Sequence, residues 1–339
     1  MIKYLYFTIL FLSLFVNSTL FAQPKIIFDT DFGSDADDLG ALAMLHTFIR
    51  RGDCELLAVM NWTMDEYAVP SIDAVNRFYL HPNIPIGTRK GETDHEDANY
   101  NRILAENFPY TLTYNDVPDA TVLYRKILSK AADSSITIVT TGPLMNIQNL
   151  IKSGSDKYSP LKGSELISKK VKEFVIMGGQ FPKGKDEWNF NGNMPGVTRF
   201  VLENLKVPIT FTGFELGSQI KTGENLNNID PETPLYKGFL YFSGHAPWMK
   251  ADFKGKILPN SSFDQTAILY AVKGGVGTYW NRVEDGYCEA DENGGNRWIK
   301  SKNSNQSYLR LKESPEVMST LIEVLMLNKI DEFIEMDEE

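Results

Sequence analysis

Five of the ten residues from Asp29 to Asp38 are aspartates, in the run Phe28-Asp29-Thr30-Asp31-Phe32-Gly33-Ser34-Asp35-Ala36-Asp37-Asp38. Carboxylates packed this densely either hold a hard cation or share protons. Two like charges about 4 Å apart repel by roughly 4 kcal/mol at an effective dielectric near 20. A helix N-terminus returns only about 0.3–2 kcal/mol to a nearby anion. The dipole cannot settle so many carboxylates, so a divalent cation is the expected partner.

The flanking residues say where the carboxylates lie. Lys25-Ile26-Ile27-Phe28 reads as a strand, and Leu39 to Ile49 carries an apolar helical pattern. The aspartates therefore occupy a strand-to-helix turn, which in an open α/β sheet is the ligand-binding edge. Further β-rich runs follow at Leu56–Met60, Ile84–Gly87, Ile136–Thr140, Glu173–Met177 and Pro208–Thr212. Helical patterns lie between or after them at Leu39–Arg50, Ile72–Leu80, Ala120–Ala132, Leu144–Ile151 and Val197–Asn204. This alternation predicts a single α/β domain with a mainly parallel open sheet and helices on both faces. The strands are near-continuous apolar runs, as burial of both faces requires. Residues 217–262 are rich in Gly, Pro, Asn and aromatics and are expected to be irregular and lid-like. A helix is expected from Gln265 to Val272, short strands and turns over 276–311, and a closing amphipathic helix from Pro315 to Leu327.

With 339 residues, 42% of them hydrophobic, the chain has ample material for one large core. Lys3, the apolar stretch Leu5–Val16 and the sequence ending in Phe21-Ala22 resemble a secretory signal. Residues 1–22 are thus expected to be removed, leaving a catalytic domain over 23–339, exported to a periplasmic or extracellular space, with no membrane span after cleavage. Removing that segment takes away only Lys3 and moves the net charge from −10 to −11. Such an acidic protein is ill-suited to bind a phosphate backbone, so no nucleic-acid partner is expected and a small molecule is. Asp331 to Glu339 reads as a solvated acidic tail. Cys54 and Cys288 make no disulfide framework and are expected to be two separate buried thiols.

Two common acidic motifs fail on spacing. An EF-hand loop beginning at Asp29 would place Gly33 at position 5, Ser34 at position 6 and Gly40 at position 12, where oxygen ligands, Gly and Glu are needed. Asp29-Thr30-Asp31 also suits a haloacid-dehalogenase-type phosphatase, but the Thr/Val-rich continuation of that motif is absent. By contrast, Asp-Thr-Asp-x-Gly followed by Asp37-Asp38 and the small-residue helix start Leu39-Gly40-Ala41-Leu42-Ala43 resembles the inosine-uridine preferring nucleoside hydrolase family. The turn here is two residues longer than usual, as in a divergent exported branch. Collinear segments extend the resemblance over about residues 25–330. They are Leu56-Leu57-Ala58-Val59-Met60-Asn61, Ile138-Val139-Thr140-Thr141-Gly142-Pro143-Leu144-Met145-Asn146, Val175-Ile176-Met177-Gly178-Gly179, Glu187-Trp188-Asn189-Phe190 and Phe263-Asp264.

The resemblance implies a nucleoside hydrolase-like, Rossmann-like fold and a Ca²⁺-dependent cleavage of the N-glycosidic bond. Its substrate would be a ribonucleoside or a related ribosylated compound, and its relatives assemble as dimers or tetramers. It further implies that Asp31, Asp38, the Thr141 carbonyl and Asp264 hold the metal, with Asp31 taking the proton of a metal-activated water. Asp37, Asn61, Glu187 and Asn189 would hold ribose hydroxyls, and Met177 would pack on the sugar. Plainer roles compete at several positions. Asp29 is expected to be structural, bonding turn amides, and Asp35 to be solvated or capping. Asn61 and Asn189 also suit turns. Met177 suits a core, and Trp188, Tyr241, Phe242 and Trp248 suit core or lid packing, although a flat leaving group can stack on an aromatic.

Position 263 departs from the pattern. Purine-cleaving relatives carry there a histidine that protonates the departing base, whereas Phe263 has no proton to give. Loss of a general acid typically costs about 10²–10⁴ in rate. Among His46, His81, His95 and His245, the first two read as structural, and His245, in the lid-like segment, is the leading replacement acid, ahead of His95. Residues 180–186 also lack the asparagine that usually precedes Glu-x-Asn. Two other activities fit the same residues: a non-catalytic, calcium-dependent nucleoside or sugar binder, and a hydrolase of a different glycoside. Asp31 favours catalysis, because a binder needs no base beside its metal.

Overall fold

The computed structural model describes residues 23–327; the expected signal segment and the acidic tail lie outside the described residues. Eight strands form the main sheet: β1 (Lys25–Thr30), β2 (Glu55–Asn61), β3 (Ile86–Thr88), β4 (Ile136–Thr140), β5 (Val171–Met177), β6 (Ile209–Thr212), β7 (Trp280–Val283) and β8 (Gln306–Leu311). Their order is β7-β8-β6-β5-β4-β1-β2-β3, and every pair is parallel except β7 with β8. The chain winds outward from β1 to β3 on one side and through β4, β5 and β6 on the other. Strand order thus reverses between β1 and β4, where a doubly wound sheet opens its binding crevice.

Alternate residues of each strand feed separate cores. Ile26, Phe28, Val59, Val139 and Val175 face one layer, whereas Ile27, Ala58, Met60, Ile138 and Ile176 face the other. This is the period-2 alternation of a pleated strand with both faces covered. On the first face, helix Ala36–Arg50 packs against helices Pro234–His245, Phe263–Lys273 and Pro315–Leu327. On the second, helices Ala120–Lys130, Met145–Lys152, Gly163–Lys170 and Val197–Asn204 pack together. Register levels the strand ends, since Thr30 pairs with Asn61, Asp29 with Thr140, and Thr140 with Ile176. The residues just after β1, β4 and β5 consequently share one rim.

The expected fold holds, with corrections in the last third. Residues 217–262 contain a 12-residue helix, Pro234–His245, in place of wholly irregular chain. Thr233 caps it by accepting from the Tyr236 amide, Pro234 opens it, and Leu235, Phe239 and Phe242 are buried along it. Two of the strands within 276–311, β7 and β8, extend the main sheet by one edge. Two short helices, Asn101–Asn107 and Gly163–Lys170, add to the expected pattern. Cys54 and Cys288 are free buried thiols. No helix of the described residues is long and apolar enough to cross a membrane.

Candidate active site

The acidic turn after β1 is held from below and from the side. Beneath it, Asp29 accepts hydrogen bonds from the Tyr124 hydroxyl at 2.7 Å and the Asn146 amide at 3.0 Å. Asp29 is structural as expected, but through side chains rather than turn amides, and burial pushes its carboxyl up to about 7. At the side, the Gly33 amide donates to the Tyr100 hydroxyl at 3.1 Å, and Asn101 donates to the Phe32 carbonyl at 2.8 Å. Gly33 has φ +112°, and a Cβ there would run into the Asn101 side chain, so only glycine makes this turn. The two extra turn residues end at Asp35, which caps the following helix by accepting from the Asp37 amide at 3.3 Å and also accepts from Asn260. The capping role foreseen for Asp35 is thus present.

Three carboxylates then converge. Asp37 and Asp38, from the first turn of helix Ala36–Arg50, and Asp264, from the first turn of helix Phe263–Lys273, each offer an oxygen within 4.8 Å of the others. All three are buried. Burial first, and then neighbouring carboxylate charges (chiefly Asp35 on Asp37, Asp31 on Asp38, and Asp37 and Asp38 on Asp264), push these carboxyls well above the usual carboxylate range. Asp37 also accepts from the Phe263 and Asp264 amides, both at 3.2 Å, and so pins the second helix to the first. The Thr30 hydroxyl donates to Asp38. Asp264 keeps one carboxylate oxygen buried without a hydrogen-bond partner.

Asp31 is not one of the three. It faces the same cavity, and its charge raises the carboxyls of all of them. One Asp31 oxygen accepts from the Trp188 indole N–H at 2.8 Å and from the Ser34 hydroxyl at 3.0 Å. Burial pushes this carboxyl up to about 6. Across the crevice, a Cβ on Gly142 would sit 2.8 Å from the Asp31 amide nitrogen, so glycine is needed for the two turns to approach this closely. The Thr141 carbonyl accepts from the Asn189 amide at 3.0 Å, and the same amide reaches the Met177 carbonyl at 3.1 Å. Glu187 caps the short helix Trp188–Asn191 and accepts from three backbone amides, those of Gly179, Asn189 and Phe190. Burial pushes its carboxyl up to about 7 despite those bonds.

These residues open into a cavity of about 1040 Å³ lined by Asp31, Asp37, Asp38, Thr141, Met177, Glu187, Asn189 and Asp264, among others. Its outer wall includes Phe214, Trp248 and Phe263, with Phe263 stacked on Phe214 at a centroid distance of 5.1 Å.

The sequence matches the family model described as inosine-uridine preferring nucleoside hydrolase over residues 26–307. The chain belongs to this family. No curated protein matches it. Among solved structures, it resembles a plant nucleoside hydrolase at 17% identity and TM-score 0.64, over 89% of this chain and 98% of that one. It resembles an inosine-guanosine nucleoside hydrolase at 19% identity and TM-score 0.62, over 90% and 98% of the two chains. It also resembles the type III effector protein XopQ, solved with adenosine diphosphate ribose, at 13% identity and TM-score 0.60, over 90% and 93%. At these identities the structures show the shared fold, while the family match shows the chain to be an N-glycosyl hydrolase of small ribosyl substrates.

The nucleoside hydrolase site gathers most residues singled out from the sequence. Asp38 and Asp264 come together as expected, and Asp37, assigned to the sugar, stands with them in the carboxylate triplet. Asn61 does not reach the cavity. It is fully buried, donates to the Thr63 carbonyl at 2.7 Å and the Thr88 hydroxyl at 2.9 Å, and its oxygen accepts from the Thr63 amide. No histidine lines the cavity. His245 is exposed, stacked on Tyr241 and bonded to that residue's carbonyl, and His95 bonds Asp65. His46 and His81 pair with each other, as their structural reading implied. Trp188 has the role the sequence concealed: it is 48% exposed and holds Asp31. Its one signal was its place between Glu187 and Asn189.

Proposed function

We propose that this chain is an exported, Ca²⁺-dependent nucleoside hydrolase that cleaves the bond between ribose and a base. The observation that carries this is the placement of Asp31, anchored by Trp188, beside a buried triplet of carboxylates at the reversal point of the sheet. The triplet suits a hard cation. Its donors are all oxygen, no imidazole or thiol stands among the cavity-lining residues, and one Asp264 oxygen is buried without a partner. Calcium accepts six to eight such oxygens, including carbonyls. Asp37, Asp38 and Asp264 would hold it, and the Thr141 carbonyl, which keeps a second lone pair beside its bond from Asn189, would join them.

A divalent cation supplies Lewis acidity, lowering the pKa of a coordinated water toward neutrality. The chain's own residues do the rest. Asp31 receives the water's proton, and the Trp188 and Ser34 bonds fix which of its oxygens faces the cavity. Met177 and Asn189, at the rim after β5, bound the space for the sugar, and Glu187 fixes the backbone that carries Asn189. Attack at the anomeric carbon passes through an oxocarbenium-like state, as in glycoside hydrolysis generally. Holding the sugar against so weak a nucleophile contributes much of the rate.

Export rests on the N-terminal apolar segment, and a mature chain beginning at Gln23 in the exported fraction would support it. The decisive assay is release of free ribose from a nucleoside panel, with calcium and after chelation. Release that chelation stops and calcium restores supports the proposal. Calcium-independent release removes the metal assignment, and no release from any riboside removes the activity.

A further inference from the structure

The cavity itself bears on which leaving group departs. Among the described residues that line it, none is a histidine, tyrosine or arginine, and Lys221 is the one basic side chain. The Lys221 ammonium already donates to the Ser261 hydroxyl at 2.6 Å. Nine lining carboxylates stand against that lysine. Glu96, Asp186 and Asp252 are exposed members of this set, separate from the buried triplet. The same wall offers aromatic faces to an incoming ring, with Trp248 62% exposed and Phe214 39% exposed. An interior of this charge repels phosphate, while aromatic faces and carboxylates both attract a positively charged ring.

We propose that the cavity selects cationic ribosides, in which the anomeric carbon is bonded to a ring nitrogen that already carries positive charge, as in an N-ribosyl pyridinium. This deepens the ribosyl-hydrolase function of the same site and rests on it. The chemistry suits a site without an acid. The bond from C1′ to nitrogen breaks, its electron pair returns to the nitrogen, and the ring leaves neutral without needing a proton. The water oxygen bonds to C1′, one of its protons stays on the new hydroxyl, and the other passes to Asp31 and then to solvent. Riboside cation and water thus give ribose, the neutral ring and one proton. A neutral purine, in contrast, leaves as an anion unless protonated, and lacking that acid costs it about 10²–10⁴ in rate.

The test measures kcat/KM of the calcium-loaded mature chain on N-ribosylnicotinamide, its 5′-phosphate, inosine and uridine, at low and high ionic strength. The cation is expected to exceed inosine and uridine by about 10²-fold or more. Its kcat/KM should fall as salt rises while that of inosine does not, and its 5′-phosphate should be poorer by about tenfold. Pyridinium ribosides are intrinsically labile, so Asp252→Lys and Glu96→Lys supply a second readout. Each should raise KM for the cation more than for inosine. Inosine or uridine cleaved as well as the cation, or salt and lysine substitutions acting equally on both, would overturn the selection for cations and leave ribosyl hydrolysis standing. Cleavage of the C1′–nitrogen bond in none of the four would overturn both.

Discussion

Replacing Asp38 by asparagine separates the cost of the carboxylate triplet from its use. At the 4.8 Å limit of the triplet, each fully ionised pair repels by about 3.5 kcal/mol at an effective dielectric near 20. Asp38 belongs to two such pairs, but burial raises all three carboxyls, so the metal-free protein meets part of the repulsion by taking up protons. Asparagine keeps an oxygen for the Thr30 hydroxyl while removing the charge. Metal-free Asp38→Asn should therefore be more stable than the parent by about 1–3 kcal/mol, or roughly 1–5 °C in Tm. Calcium reverses the ranking. The parent gains about 2.7 kcal/mol at a calcium concentration 100 times its Kd, and the variant, short of one ligand charge, gains much less. Thermal unfolding followed by tryptophan fluorescence, in chelator and across a calcium titration, reads both effects. A variant less stable than the parent in chelator, yet equally stabilised by calcium, would refute the assignment of Asp38 to a cation site.

Other outcomes follow from the same contacts. Asp31→Asn keeps an acceptor for Trp188 but no base, so ribose release should fall by about 10²–10⁴ with little change in KM; unchanged kcat would move the base elsewhere. Phe263→His places a proton donor beside Asp264, so activity on inosine, followed by hypoxanthine release, should rise by about tenfold or more. A drop, in a variant that still folds, would mean that the aromatic face matters more than the missing acid. His46 is buried against His81 and Asn76, and burial lowers its pKa to about 3. The folded protein keeps it neutral while the unfolded chain protonates below about 6.5, so stability should drain away as pH falls from about 6.5 toward 3. By pH 4 the loss from this residue is roughly 3 kcal/mol. His46→Gln should flatten that part of a denaturant-unfolding pH profile; an identical slope in parent and variant would exclude the residue as its source.

Much of the protein was legible without coordinates because its information is local. Period-2 and period-3.6 apolar patterns follow from backbone geometry, so the sheet strands, most crossover helices and the acidic strand-to-helix turn could be read directly. Position 263 already announced a site without the usual donor, since a phenylalanine ring has no proton to lend in any fold. What no local pattern carries is which side chains meet across the sheet. Asp37 caps a helix that begins 226 residues later, and Trp188 donates to an aspartate 157 residues earlier. Asn61, adjacent in register to Thr30, turns its amide inward to Thr63 and Thr88 instead of toward the cavity. Strand order and crossover packing alone decide these meetings, because a sequence spacing fixes the face of one element but not the neighbour that face will find.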